Sequence, residues 1–196
     1  GASIASCGNY ASINSKNRWQ CIASSGKLAK IDAFCDYSNI SSSGISARIT
    51  SVGLIQNIST SGYGSRIISH GHDVNVASAD MAMIYSDGEN ADLYASGAES
   101  KIASRGDNAN ICIDSMYGYI NSSGDNTRIM SAENFSTIES TGEKAVIMSA
   151  GDNTRARAKI GSWIVLTEYN INREVKCIKA EYVDGERIKG DTLYRL

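Results

Sequence analysis

The chain has 196 residues, with 19 lysines and arginines against 21 aspartates and glutamates, a formal net charge of −2 and 42% hydrophobic residues. No run of about eighteen apolar residues occurs, which argues against a transmembrane helix, and the near-balance of charge removes the positive bias that would make nucleic acid a default partner. The five cysteines, Cys7, Cys21, Cys35, Cys112 and Cys177, are an odd number at irregular spacings, so they form neither a disulfide framework nor a paired C-x-x-C zinc pattern, and a reducing cytoplasm is the expected compartment.

The chain opens Gly1-Ala2-Ser3-Ile4 without an initiator methionine or a signal peptide and reads as a trimmed start, which leaves any targeting segment open. From Ile4 an aliphatic residue returns every nine positions, through Ile13, Ile22, Ile31, Ile40, Ile49, Ile58 and Ile67 to Val76. One residue is lost before Ile84, after which Leu93, Ile102, Ile111, Ile120, Ile129, Ile138 and Ile147 resume the step, and Ala156 occupies the last aliphatic position. A small residue, often Ala, stands two before most of the aliphatics and usually a Ser two after, so the unit is A-x-I-x-S-x-G-x-x.

Side chains at i, i+2 and i+4 of a strand share one face, so the small, aliphatic and small residues point inward and those between them point out. Glycines four after the aliphatic, such as Gly26, Gly44, Gly106 and Gly124, predict a corner position of positive φ. A strand this short buries its isoleucine only by stacking on copies of itself, which predicts a thin parallel β-solenoid. Gly-Asp-Asn or Gly-Glu-Asn corners (Gly88-Glu89-Asn90, Gly106-Asp107-Asn108, Gly124-Asp125-Asn126) recur every eighteen residues, so each coil holds two nonads and the rod has about nine coils. The absence of proline agrees with a backbone whose N–H groups are all needed in inter-coil ladders.

The repeat is expected to cease near Lys159, giving a solenoid over 1–158 and a small β cap over 159–196. Three cap strands are predicted as an antiparallel meander: Trp163 to Tyr169, Val175 to Val183 and, after an Asp184-Gly185 turn, Arg187 to Tyr194. The fold class is therefore all-β, a two-sided parallel solenoid resembling a β-roll with a C-terminal antiparallel cap. Such a cap covers an edge and an apolar cross-section that a solenoid end otherwise exposes.

The repeat, together with the tail Ala158-Lys159-Ile160-Gly161-Ser162-Trp163-Ile164-Val165-Leu166 and the run Val183-Asp184-Gly185-Glu186-Arg187-Ile188-Lys189, resembles a set of uncharacterised bacterial and bacteriophage proteins with S-G-D-x-A-x-I-x-S repeats and a small cap. The resemblance spans the chain and implies the fold; it brings no activity. A more distant likeness to the calcium-binding nonapeptide β-roll of secreted toxins does not carry that family's G-G-x-G-x-D signature, so its calcium role is not transferred.

Stacking equivalent positions predicts what the outer faces display. One face aligns Lys30, Arg48 and Arg66 and, beyond Met83, Lys101, a stripe that suits a polyanion or serves as a solvated charged face; no interleaved aromatics are expected beside it. The other aligns Asn39, Asn57, Asn75, Asp92 and Asn110, whose amides are expected to hydrogen-bond up the stack. Tyr94, Cys112, Met130, Val146 and Met148 form an apolar patch beside them. Tyr94, Met130 and Met148, with Ile4 and Ile13 of the first coil, are the candidate oligomer contacts. At one corner His70, His72, Glu89 and Asp107 are the metal candidates, to be weighed against solvated corner groups that hold nothing.

No triad, nucleotide loop or zinc spacing is found, and the coils are too short to build a cleft, so no cofactor is expected and the chain does not read as an enzyme. The leading expectation is a non-enzymatic structural or protein-interaction scaffold that associates with itself or another protein, away from membranes. The alternative is a binder of nucleic acid or another polyanion through the basic stripe.

Overall fold

Each nonad forms one short strand because its alternating small and aliphatic side chains can be buried only on a single pleated face. The computed structural model describes residues 2–196, and the strands in chain order begin with β1 (Ala2–Ser6), β2 (Ser12–Ser15), β3 (Gln20–Ser24), β4 (Lys30–Phe34), β5 (Asn39–Ser42), β6 (Arg48–Val52) and β7 (Asn57–Thr60). They continue as β8 (Arg66–Ser69), β9 (Asn75–Ser78), β10 (Met83–Ser86), β11 (Asp92–Ser96), β12 (Lys101–Ser104), β13 (Asn110–Asp114) and β14 (Tyr119–Ser122). The last are β15 (Arg128–Ser131), β16 (Thr137–Ser140), β17 (Val146–Ser149), β18 (Arg155–Arg157), β19 (Trp163–Tyr169) and β20 (Val175–Tyr182).

Odd strands stack in one sheet and even strands in the other, from β1 to β17 and from β2 to β18, all parallel. The protein is thus a parallel β-solenoid of about nine coils with turns of about 18 residues. Register is fixed by the aliphatics: Ile22 lies over Ile40, Ile40 over Ile58, and Ile31 over Ile49. The two columns face each other across a thin core in which Ile31, Ile67, Ile120, Ile129 and Ile138 are fully buried, with Ala29, Ala47, Ala82 and Ala109 filling the space beside them. The residue lost before Ile84 is absorbed without disturbing this register, Leu93 lying over Val76 and Ile84 over Ile67.

The corners work differently from the expectation that their glycines hold positive φ. Positive φ falls six after the aliphatic, mostly on other residues, among them Tyr10, Trp19, Leu28, Asn90, Asn108, Asn126 and Lys144. Asparagine tolerates that region better than most, which accounts for its place in the corner motif. The glycines four after the aliphatic are required sterically: a Cβ on Gly44, Gly106, Gly124 or Gly142 would overlap the backbone carbonyl of the glycine one coil below. The acid or asparagine between these two positions caps a backbone donor. Asp107 accepts the Asp125 N–H at 2.8 Å, Asp125 the Glu143 N–H at 2.7 Å, and Asn134 the Asp152 N–H at 2.7 Å. The three residues of a Gly-Asp-Asn corner therefore perform three separate tasks, namely clearance, donor capping and chain reversal.

The solenoid also runs further than the expected boundary. β19 lies parallel on β17 with Ile164 over Ile147 and Trp163 over Val146, so it is a last half-coil reached through a second one-residue loss. β20 then pairs antiparallel with β19, closing the odd sheet. The expected third strand, Arg187 to Tyr194, does not form. Gly190 and a positive φ at Asp191 interrupt it, and it contributes only an isolated bridge between Tyr194 and Ala156, with hydrogen bonds of 2.8 and 2.9 Å. That bridge covers the free edge of β18, so the C-terminal segment closes the even sheet as β20 closes the odd one.

Candidate functional site

The odd sheet is built from strands whose outward side chains form two columns, one residue before and one after each buried aliphatic. In the first, Asn57 donates to Asn39 at 2.9 Å and Asn75 to Asn57 at 3.1 Å; further along, Asn110 donates to Asp92 at 2.7 Å and Arg128 to Asn110 at 3.4 Å. The expected amide ladder is present, in two sections that meet at the shortened coil.

The second column changes character along the rod. Register places Ala5, Ala23, Ser41, Ser59 and Ala77 in one line, continued by Tyr94, Cys112, Met130, Met148 and Val165. A shallow trough of about 700 Å³ runs along this face beside the asparagines, floored by the small residues from Ala23 to Ala77 and continuing past Tyr94 and Cys112 to Met130. The large half projects: Tyr94, Met130 and Met148 are each 40–46% exposed, and Trp163, Tyr182 and Ile178 extend the apolar strip onto the last two strands. Tyr182 packs against Trp163 with ring centroids 5.4 Å apart. Cys112 sits within this strip, where burial, and secondarily the charge of Asp114, raises its thiol pKa and keeps it protonated at neutral pH.

On the even sheet Lys30, Arg48, Arg66, Met83 and Lys101 stand in successive register, as the sequence spacing implied. Lys30 is held by Asp32 at 2.7 Å, whereas neither Arg48, Arg66 nor Lys101 has an acidic partner among the described residues. Aromatics do stand beside this stripe, against expectation: Tyr119 follows Lys101 in the same column, and Tyr85 lies next to Met83, with the Arg105 guanidinium 5.5 Å from its ring.

The other candidates are dispersed. His70 pairs with Asp87 at 2.7 Å, His72 approaches Glu89 at 4.0 Å, and Asp107 is engaged by a backbone N–H, so the four metal candidates do not converge. Among the described residues no group of three or more His, Cys, Asp or Glu side chains could hold a metal ion. Ile4 and Ile13 point into the first coil, Ile13 only 7% exposed and Ile4 packed against the core, and so lie apart from Tyr94, Met130 and Met148. Two stacked aromatic pairs at the corners, Trp19 with Tyr37 and Tyr117 with Phe135, at 4.4 and 5.2 Å, went unnoticed in the sequence. Their signal was there, in aromatic residues that recur eighteen apart at the positive-φ position.

Fold and faces together define a parallel two-sheet β-solenoid whose end is closed by an antiparallel strand pair. Compared with known proteins, the chain matches no family model, no curated protein and no solved structure. Among the described residues no helix is long and apolar enough to cross a membrane.

Proposed function

We propose that the chain is a non-enzymatic structural scaffold that associates with its own copies through a flat solenoid face. The observation that carries this reading is the contiguous exposed strip of Tyr94, Met130, Met148 and Trp163 on a rigid, ladder-bonded sheet. Exposed apolar patches of that extent mark interaction surfaces. Light scattering at low and high salt tests the reading: a mass that is a multiple of 20.9 kDa and survives high salt supports it, and a monomer at every concentration up to the millimolar range refutes it.

A second reading rests on Arg48, Arg66 and Lys101, stacked without acidic partners beside Tyr119. In this reading the even face takes a polyanion, with phosphates or sulfates along the stripe and the tyrosines beneath flat groups. Binding of single-stranded DNA or heparin that weakens steeply with salt and is lost in Arg48→Glu/Arg66→Glu supports it; salt-independent or unchanged binding excludes it.

A further inference from the structure

The change from small to large side chains along the odd sheet falls between Ala77 and Tyr94, either side of the shortened coil, with Asn75 and Asp92 level with it in the neighbouring column. A two-fold axis lying along the strand direction at this level would lay one odd face on another with the order of coils reversed. Each outward column would then meet its own copy. Tyr94 would face Ala77 of the second copy, Cys112 would face Ser59, Met130 would face Ser41, Met148 would face Ala23 and Val165 would face Ala5. Tyr94, Met130, Met148 and Val165 thus each meet a small residue, and the trough of about 700 Å³, which on each copy runs from Ala23 past Tyr94 to Met130, is covered by the facing copy.

The neighbouring column matches under the same operation. Asp92 falls opposite Asn75, Asn110 opposite Asn57 and Arg128 opposite Asn39, pairs in which a donor meets an acceptor and no like charges oppose. The ladder leaves these groups capacity for such bonds, since an amide carries two N–H donors and two acceptor lone pairs and the ladder engages one of each at Asn57. The other two-fold arrangement, with the axis along the rod, brings each column against the other within the same coil. It would set Met130 against Arg128 and Tyr94 against Asp92 and would leave the small half facing asparagines across a gap.

From these matches the geometry points to a second copy of this chain, packed antiparallel and face to face through the odd sheet, as the occupant of the trough. This rests on the self-association proposed above and specifies its surface. A face about 43 Å tall and roughly 15 Å wide buries about 1,300 Å² over both copies, which falls within the size class of specific, stable interfaces.

The test uses the whole chain and two kinds of variant at exposed positions, each checked for an unchanged far-ultraviolet circular dichroism spectrum. Ser41→Met sets methionine against Met130 and is expected to weaken the dimer about ten- to a hundredfold, while Ser41→Met/Met130→Ser exchanges the two partners and restores it. Opposed Cα atoms of packed sheets lie about 10 Å apart, beyond a disulfide but within reach of a short bismaleimide. Ser59→Cys is therefore expected to cross-link through Cys112 of the second copy, and Ala23→Cys, which faces Met148, is not. A salt-resistant dimer that is indifferent to Ser41→Met and does not cross-link at Ser59→Cys overturns this face while leaving self-association standing. A chain that is monomeric throughout overturns both.

Discussion

Replacing Gly124 by alanine separates two explanations of the corner glycines. The backbone φ of Gly124 is not positive, so alanine meets no conformational objection. Its Cβ would overlap the Gly106 carbonyl, with the Asp107 backbone N also only 2.9 Å away. Backbone atoms cannot turn aside as a side chain does, so the two coils must separate locally and strain the ladder bonds between them. Overpacking of this kind costs about 1–3 kcal/mol, and the rigid obstacle puts Gly124→Ala near the upper end. For a chain of this length that corresponds to a fall in melting temperature of roughly 6–12 °C. The decisive comparison, followed by thermal unfolding in circular dichroism, is with Gly124→Asn. If the glycine served positive φ, asparagine would be the best tolerated replacement; if it serves clearance, asparagine should be at least as damaging as alanine. Near-native stability of Gly124→Asn would refute the steric account.

Other corner and core positions give sharper local readouts. Asp125→Ala removes the acceptor of the Glu143 N–H and is expected to cost about 1 kcal/mol in urea unfolding, while Asp125→Asn keeps an acceptor and most of the stability. Ile120→Ala, at a fully buried site, is expected to cost about 2–5 kcal/mol, with faster amide exchange centred on β12, β14 and β16 rather than spread over the rod. Acidification should loosen the turn after β20. The Asp184 carboxylate accepts N–H bonds from Ile188 and Glu186, which lower its pKa below the ordinary value, so its contribution is full above the ordinary carboxylate range and is lost as pH falls through the lowered value. Amide exchange at Ile188 and Glu186, corrected for intrinsic rate, should therefore accelerate in acid, and Asp184→Asn should remove that pH dependence.

The stacking period was legible because burial imposes it: a displaced isoleucine would empty a core site, so the nine-residue step had to survive in the sequence. The corner chemistry was only half legible. Glycine answers both a positive φ and a close backbone contact, and sequence alone does not separate them, whereas the contact between Gly106 and Gly124 exists only between coils. The continuation through β19 was hidden by the second lost residue, which moves Ile164 off the nine-residue count while its register over Ile147 is kept. The strand expected over Arg187 to Tyr194 fails where Gly190 and the positive φ of Asp191 break the extended run. The basic stripe and the amide ladder could be aligned from spacing alone. The opposition of small and large halves along Ala5 to Val165 was equally present in the letters, but it acquires meaning only when a two-fold axis is drawn through the face.

Because register between coils is set by residues eighteen apart, or seventeen across the shortened coil, a whole coil inserted or removed between β3 and β17 leaves the other coils in register. Rod length is therefore quantised, in steps of about 4.8 Å, and can vary without touching the closing pair β19 and β20. The symmetry of the odd face is not indifferent to such steps. A coil gained on the small side of the switch alone would lie beyond the large half of its partner, so a lineage that keeps the paired assembly should gain or lose coils on both sides of the switch together.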